Sequence, residues 1–212
     1  MKILAVDNHP VMLRFMQNLL VKKGYTVKTA SDGLQALEVL KNYSPDVIFV
    51  DLIMPKIDGK KLCRVIRQRE HLKHPYIAIL SAVAVEEGND YKQFGADACI
   101  AKGPFDRLGK NILEVVESVE EGGGEETDGI RGKDYAYQRT ITKELIYTKR
   151  HFEIILNNMS EGIMELTREG YVIFLNPAAS AILNTPEEKI LGSLFFNLFL
   201  KPEKEQIEQL FN

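Results

Sequence analysis

The sequence predicts a doubly wound α/β domain on a five-stranded parallel sheet, followed by a linking helix and a partial α+β module. Three observations carry this. Short apolar runs without polar alternation recur between stretches of helical period over residues 1–120. Polar residues gather where those runs end. The texture then breaks twice, near residues 120 and 160.

The strand runs are Ile3–Val6, Tyr25–Thr29, Val47–Val50, Ile77–Leu80 and Ala98–Ala101. Apolar character on both faces is expected when helices cover both sides of a parallel sheet. The first helix carries Met12, Phe15, Met16 and Leu19 at i, i+3, i+4 and i+7. Leu34, Leu37 and Leu40 follow Ser31-Asp32-Gly33. Leu62, Val65 and Ile66 mark a third helix, Glu86–Phe94 a weaker fourth ended by Gly95, and Leu108, Ile112, Val115 and Val119 the fifth. Strands alternating with helices give a parallel sheet with right-handed crossovers.

Residues 121–133, Gly-rich and acidic, are expected to be a flexible linker. A helix is expected over 134–159. Its residues Ile141, Leu145, Thr148, Phe152, Ile155 and Met159 step by 4, 3, 4, 3, 4, a heptad seam that fits a homodimeric coiled coil. A single amphipathic helix packed on its own domain is the alternative. Beyond it, Gly162–Leu166 and Tyr171–Leu175 read as a hairpin around Thr167-Arg168-Glu169-Gly170. Asn176-Pro177 opens a helix, Thr185-Pro186-Glu187-Glu188 opens another, and Pro202–Phe211 reads as a last one.

The net charge of -3 gives no electrostatic case for nucleic acid. No basic helix-turn-helix pattern follows the linker. No run approaches a membrane span or a signal peptide, so a cytoplasmic protein is expected. Cys63 and Cys99 match no metal or redox spacing and read as buried reduced thiols. His9, His71, His74 and His151 form no metal constellation. The absence of Gly-x-Gly-x-x-Gly or Walker patterns after the first strand speaks against a nucleotide- or flavin-binding enzyme.

In an open parallel sheet, ligands bind outside the carboxyl ends of the strands. Those ends carry Asp7 and Asn8, Asp51, Ser81 and Lys102. Two carboxylates, an amide, a hydroxyl and an ammonium suit phosphoryl transfer to a carboxylate. That chemistry is mostly positioning and charge neutralisation. Asp51 is the natural nucleophile, with magnesium offsetting its repulsion from phosphate.

The stretches VDNHP (6–10), VDLIMPKIDG (50–59), ILSA (79–82) and AKGPF (101–105) resemble the receiver domain of two-component response regulators. The resemblance covers residues 1–120. It implies a flavodoxin-like fold and phosphate accepted from a histidine kinase or phosphotransfer protein. It also implies Asp51 as phospho-acceptor, with Ser81 and Lys102 on the phosphoryl group. The metal would be held by Asp7, Asn8, Asp51 and the backbone carbonyl of Ile53. Three residues depart from the family pattern. Asn8 replaces an acid, so weaker magnesium binding is expected. Gly103 separates Lys102 from Pro104. Cys99 stands where an aromatic switch residue is usual. These departures motivate an alternative: a receiver-like scaffold that docks partners without phosphorylation.

ILNNMSEGIMELTREGYVIFLNPAASAILNTPEEKILGSLFFNLF (155–199) resembles the start of a PAS sensor domain. Residues 160–212 would then be its truncated N-terminal part, with no assignable ligand, and an output domain is expected after it. No enzyme is expected in 1–212 beyond magnesium-dependent self-phosphorylation and dephosphorylation of the receiver. A kinase or another effector could follow. An unfinished sheet is expected to leave Phe174, Phe195, Phe196, Leu198 and Phe199 in want of cover.

Overall fold

The computed structural model describes residues 1–70, 72, 74–82, 90–122, 130–132, 148 and 151–199. The chain forms two units, Met1–Arg139 and Thr140–Asn212.

The first unit runs β1 (Lys2–Val6), α1 (Pro10–Lys22), β2 (Thr26–Ala30), α2 (Gly33–Leu40), β3 (Val47–Asp51), α3 (Gly59–Arg67) and β4 (Tyr76–Ser81). A 3-10 turn (Asp90–Phe94), β5 (Ala98–Ala101), α4 (Phe105–Glu120) and β6 (Ile130–Arg131) follow. The strand order is β2-β1-β3-β4-β5-β6, every pair parallel. From β1 the chain steps outward to β2 and then returns to the other side as β3. The crevice between β1 and β3 is therefore a topological switch point.

Each helix starts where the sequence supplies a start signal. Pro10 occupies the first turn of α1, where its missing N–H leaves no bond unmade. Asp32 caps α2 by accepting from the Gln35 N–H at 2.8 Å, and Asp58 caps α3 through the Lys61 N–H at 3.0 Å. On one face of the sheet, Met16, Leu20, Leu108, Ile112, Val115 and Val116 pack against Ile3, Val47, Phe49, Leu80 and Ile100. The other face buries Leu4, Val6, Ile48, Val50 and Ile79 together with Leu37, Leu40, Leu62 and Ile66. Each such side chain contributes about 1.5–3 kcal/mol, so the strand ends rest on a rigid base.

Two expectations change. The helix expected over 86–94 is a 3-10 turn in its described part, Asp90–Phe94, closed at Gly95 with φ +87°; residues 86–89 lie outside the described residues. Among the described residues the sheet has six strands, not five. Ile130 and Arg131, inside the stretch expected as linker, pair in parallel with Cys99 and Ile100. A two-residue strand is too short to show a period. The pairing answers a tertiary need, because the apolar β5 would otherwise present a bare edge.

The second unit holds helical residues 151–157, then β7 (Met164–Leu166) and β8 (Val172–Leu175) as an antiparallel pair. Short helices Pro177–Ile182 and Glu187–Ile190 and a 3-10 turn, Phe195–Leu198, follow. The hairpin forms where expected, with Gly170 at φ +83°. Phe174, Phe195, Phe196, Leu198 and Phe199 are half-buried rather than bare, and Phe195 packs edge-on against both Phe196 and Phe199. The exposed apolar residues lie elsewhere: Phe152, Ile154, Ile155, Met159 and Ile182. Most of the helix expected over 134–159, with Ile141 and Leu145, and the helix expected over Pro202–Phe211 lie outside the described residues. No helix among the described residues is long and apolar enough to cross a membrane.

Candidate functional site

Asp7 follows β1 and is fully buried. Its own N–H continues the ladder to the Ala30 carbonyl at 3.1 Å. Its Oδ1 accepts from the His9 N–H at 2.8 Å, turning the chain toward α1. Its Oδ2 meets Lys102 Nζ at 2.7 Å. Asp51, the last residue of β3, is nearly buried, and Lys102 Nζ lies 2.9 Å from its Oδ1. One ammonium thus bridges two carboxylates across the switch point. Ser81 ends β4, is buried, and accepts the Lys102 N–H on its backbone carbonyl at 2.8 Å.

Burial pushes the Asp51 carboxyl up to about 6. Lys102 pulls it down, Asp7 pushes it further up, and hydrogen bonds from Lys102 and the Ile53 N–H also lower it. Desolvation wins because the carboxylate has lost nearly all its water while sharing the Lys102 ammonium with Asp7.

The loop after Asp51 is pinned tightly. A Cβ on Gly59 would sit 2.2 Å from the Asp51 carbonyl oxygen, so only glycine lets α3 start there. The Gly59 N–H donates to the Leu52 carbonyl at 3.1 Å. Lys56, in the left-handed region at φ 62°, places Nζ 2.7 Å from Asp32 Oδ2. This tie between the β2–α2 and β3–α3 loops has no signal in the sequence beyond Asp32 as a helix cap. Ile53 sits between these anchors.

Among the described residues no group of three or more His, Cys, Asp or Glu could hold a metal ion. Of the four expected ligands, Asp7 and Asp51 are brought together through Lys102, and the Asn8 amide and the Ile53 carbonyl would add neutral oxygens. Asn8 is exposed beside the buried Asp7. That set fits a hard cation such as magnesium, with less negative charge than three carboxylates would supply. His9, His74 and His151 are exposed and separate, and His71 lies outside the described residues. Both cysteines are buried, and burial pushes the Cys63 thiol up to about 12.

A parallel sheet with a buried acidic pair and a bridging lysine at its switch point defines an α/β module with an acidic strand-end site. A family model, the response regulator receiver domain, matches residues 3–113, more than half of the chain, and the chain belongs to that family. A PAS domain model matches residues 150–211. The chain is 37% identical over 120 residues to the sensor histidine kinase RcsC of Salmonella typhi, covering 56% of this chain and 13% of the relative. It is 38% identical over 107 residues to the alkaline phosphatase synthesis transcriptional regulatory protein PhoP of Bacillus subtilis, covering 49% of this chain and 42% of the relative. Among solved structures, the Vibrio cholerae chemotaxis protein CheY4 superposes with a TM-score of 0.51 at 29% identity, over 56% of this chain and 97% of that one. The chain therefore spans less than half the length of either curated relative.

Proposed function

We propose that Asp51 accepts a phosphoryl group from a phosphohistidine of a histidine kinase or phosphotransfer protein, and that this controls an output linked to the PAS unit. The observation that carries the reading is Lys102 Nζ held 2.9 Å from Asp51 and 2.7 Å from the buried Asp7. An Asp51 oxygen forms the bond to phosphorus as the phosphorus–nitrogen bond breaks, and the electron pair leaves on the imidazole. Lys102 and the Ser81 hydroxyl, at the ends of adjoining strands, neutralise and orient the phosphoryl oxygens. Magnesium would be held by Asp7, Asn8, Asp51 and the Ile53 carbonyl, where it would offset the repulsion between acceptor and phosphate.

The experiment is an intact-mass measurement after incubation with magnesium and acetyl phosphate. One phosphate adduct is expected on the wild type and none on Asp51→Ala. An unmodified wild type would instead favour the scaffold reading, which the neutral Asn8 motivates.

Asn8→Asp restores a negative charge beside the site. A titration is expected to give magnesium affinity tighter by about tenfold; an unchanged affinity would refute the charge argument.

The seam residues Phe152, Ile155 and Met159 are exposed, which suits a partner helix. We read residues 134–159 as a homodimer contact. Sedimentation at micromolar concentration is expected to give a dimer that Phe152→Glu converts to monomer; a monomeric wild type would rule this out.

A further inference from the structure

α4 ends at Glu120, and Ile130 and Arg131 pair with the β5 edge. The sequence between is rich in glycine and acid. A signal leaving from the end of α4 would have to cross that stretch. The strand β6 offers another exit, because it is bonded to the same sheet that carries the acidic site.

β5 is the link. Its last residue, Ala101, runs directly into Lys102, whose Nζ lies on both carboxylates. Its edge holds β6 in the register Cys99 to Ile130 and Ile100 to Arg131. On its other side the register is Leu80 to Ile100 and Ser81 to Ala101. One four-residue strand thus joins the groups that would meet a phosphoryl group to the point where the chain departs.

The attachment is poised. Among the described residues it rests on a two-residue ladder and an ion pair from Arg131 Nη1 to Glu114 Oε2 on α4 at 3.2 Å. Against it stands Arg131 Nε, a buried donor with no hydrogen-bond partner among the described residues. An unmet buried donor works against the docked state. Gly132, at φ +75°, follows beside the Asn111 side chain. Few bonds and an unmet donor make a contact that a small shift of β5 can tip.

We infer that β6 is a releasable docking strand: in the unphosphorylated chain it ties the exit toward the second unit to the β5 edge, and phosphorylation at Asp51 frees it. The inference rests on the phospho-acceptor reading above. When Lys102 turns from Asp7 to the phosphoryl oxygens, the carboxyl end of β5 moves with it, and the ladder to Ile130 and Arg131 loses its fit. Coupling of this kind is reciprocal, so releasing β6 must also favour the phosphorylated state.

Cys99 supplies the readout, because it is buried and stands in register with Ile130, while Cys63 is a fully buried internal reference. The full chain is pulsed with a small maleimide, and intact mass reports label and phosphate on the same molecules; peptide mapping assigns the thiol. Molecules phosphorylated by acetyl phosphate and magnesium are expected to label at Cys99 about fivefold faster than unphosphorylated ones. Arg131→Glu, set against Glu114, is expected to give a similar increase without phosphodonor and to raise the steady-state adduct level. Adding Glu114→Arg is expected to reverse both effects. Equal Cys99 labelling with and without the adduct would overturn the coupling, as would faster labelling of Arg131→Glu with an unchanged adduct level. A wild type that forms no adduct would overturn the phospho-acceptor reading, and the coupling with it.

Discussion

Asp51→Asn is expected to abolish the phosphate adduct and, at the same time, to stabilise the first unit by about 1–3 kcal/mol at pH 7 without magnesium. The Asp51 carboxyl is pushed up to about 6, chiefly by burial. Between its ordinary value near 4 and about 6, the folded chain binds a proton there that the unfolded chain has already lost. Stability from this group is therefore greatest at low pH and falls as pH rises through that window. At neutral pH the fold carries the charge at a cost of about 3 kcal/mol at most. The amide keeps the shape and removes that cost, while Lys102 retains Asp7 as its partner. Urea unfolding of the first unit at pH 5 and pH 7 tests this. The gain over wild type should be large at pH 7 and shrink toward pH 5. A variant less stable than wild type at pH 7, or a difference that does not change with pH, would contradict it. The Asp51 charge is poorly compensated until a cation or a phosphoryl group arrives.

The second large effect is expected in the other unit, at Asn176. This residue is almost fully buried and uses its whole amide. Oδ1 accepts from the N–H groups of Ile163 and Ala179, both at 2.9 Å. Nδ2 donates to the carbonyls of Leu156 at 3.1 Å and Glu161 at 2.9 Å. The side chain thereby caps the helix Pro177–Ile182 and ties it to the last turn of the helical residues 151–157. Asn176→Ala leaves the Ala179 donor buried and orphans the others, at a cost of about 2–4 kcal/mol. Asn176→Asp separates the roles. At an ordinary helix cap, aspartate substitutes well for asparagine. Here it would lose both donors and set a buried carboxylate against two carbonyl oxygens. Hydrogen exchange is expected to accelerate in residues 151–157 and 177–182 in both variants. Wild-type protection in Asn176→Asp would reduce Asn176 to a simple cap.

Much of this was legible along the chain, and for a definite reason. Buried strands and amphipathic helices are local patterns, so the five long strands and α1, α2, α3 and α4 are marked by residues within a few positions of one another. The polar residues at the strand ends were legible because Asp51 and Ser81 close β3 and β4, Asp7 and Lys102 directly follow β1 and β5, and parallel strands end on one edge. The Asn176 cap was legible as Asn-Pro before an alanine-rich run.

Contacts between distant positions decided the rest. That Lys102 would bridge Asp7 and Asp51, 95 and 51 positions away, depends on strand order, which no local pattern encodes. The tie of Lys56 to Asp32 joins two loops that only the β1–β3 reversal brings together. The second pair of bonds made by Asn176 reaches back to Leu156 and Glu161 across the hairpin. β6 is the sharpest case. The sequence by itself determined a receiver and its departures at Asn8, Cys99 and Gly103. Only the tertiary structure decided that Ile130 and Arg131 form a strand, because two residues have no period of their own and become a strand only when a neighbouring edge supplies their hydrogen bonds.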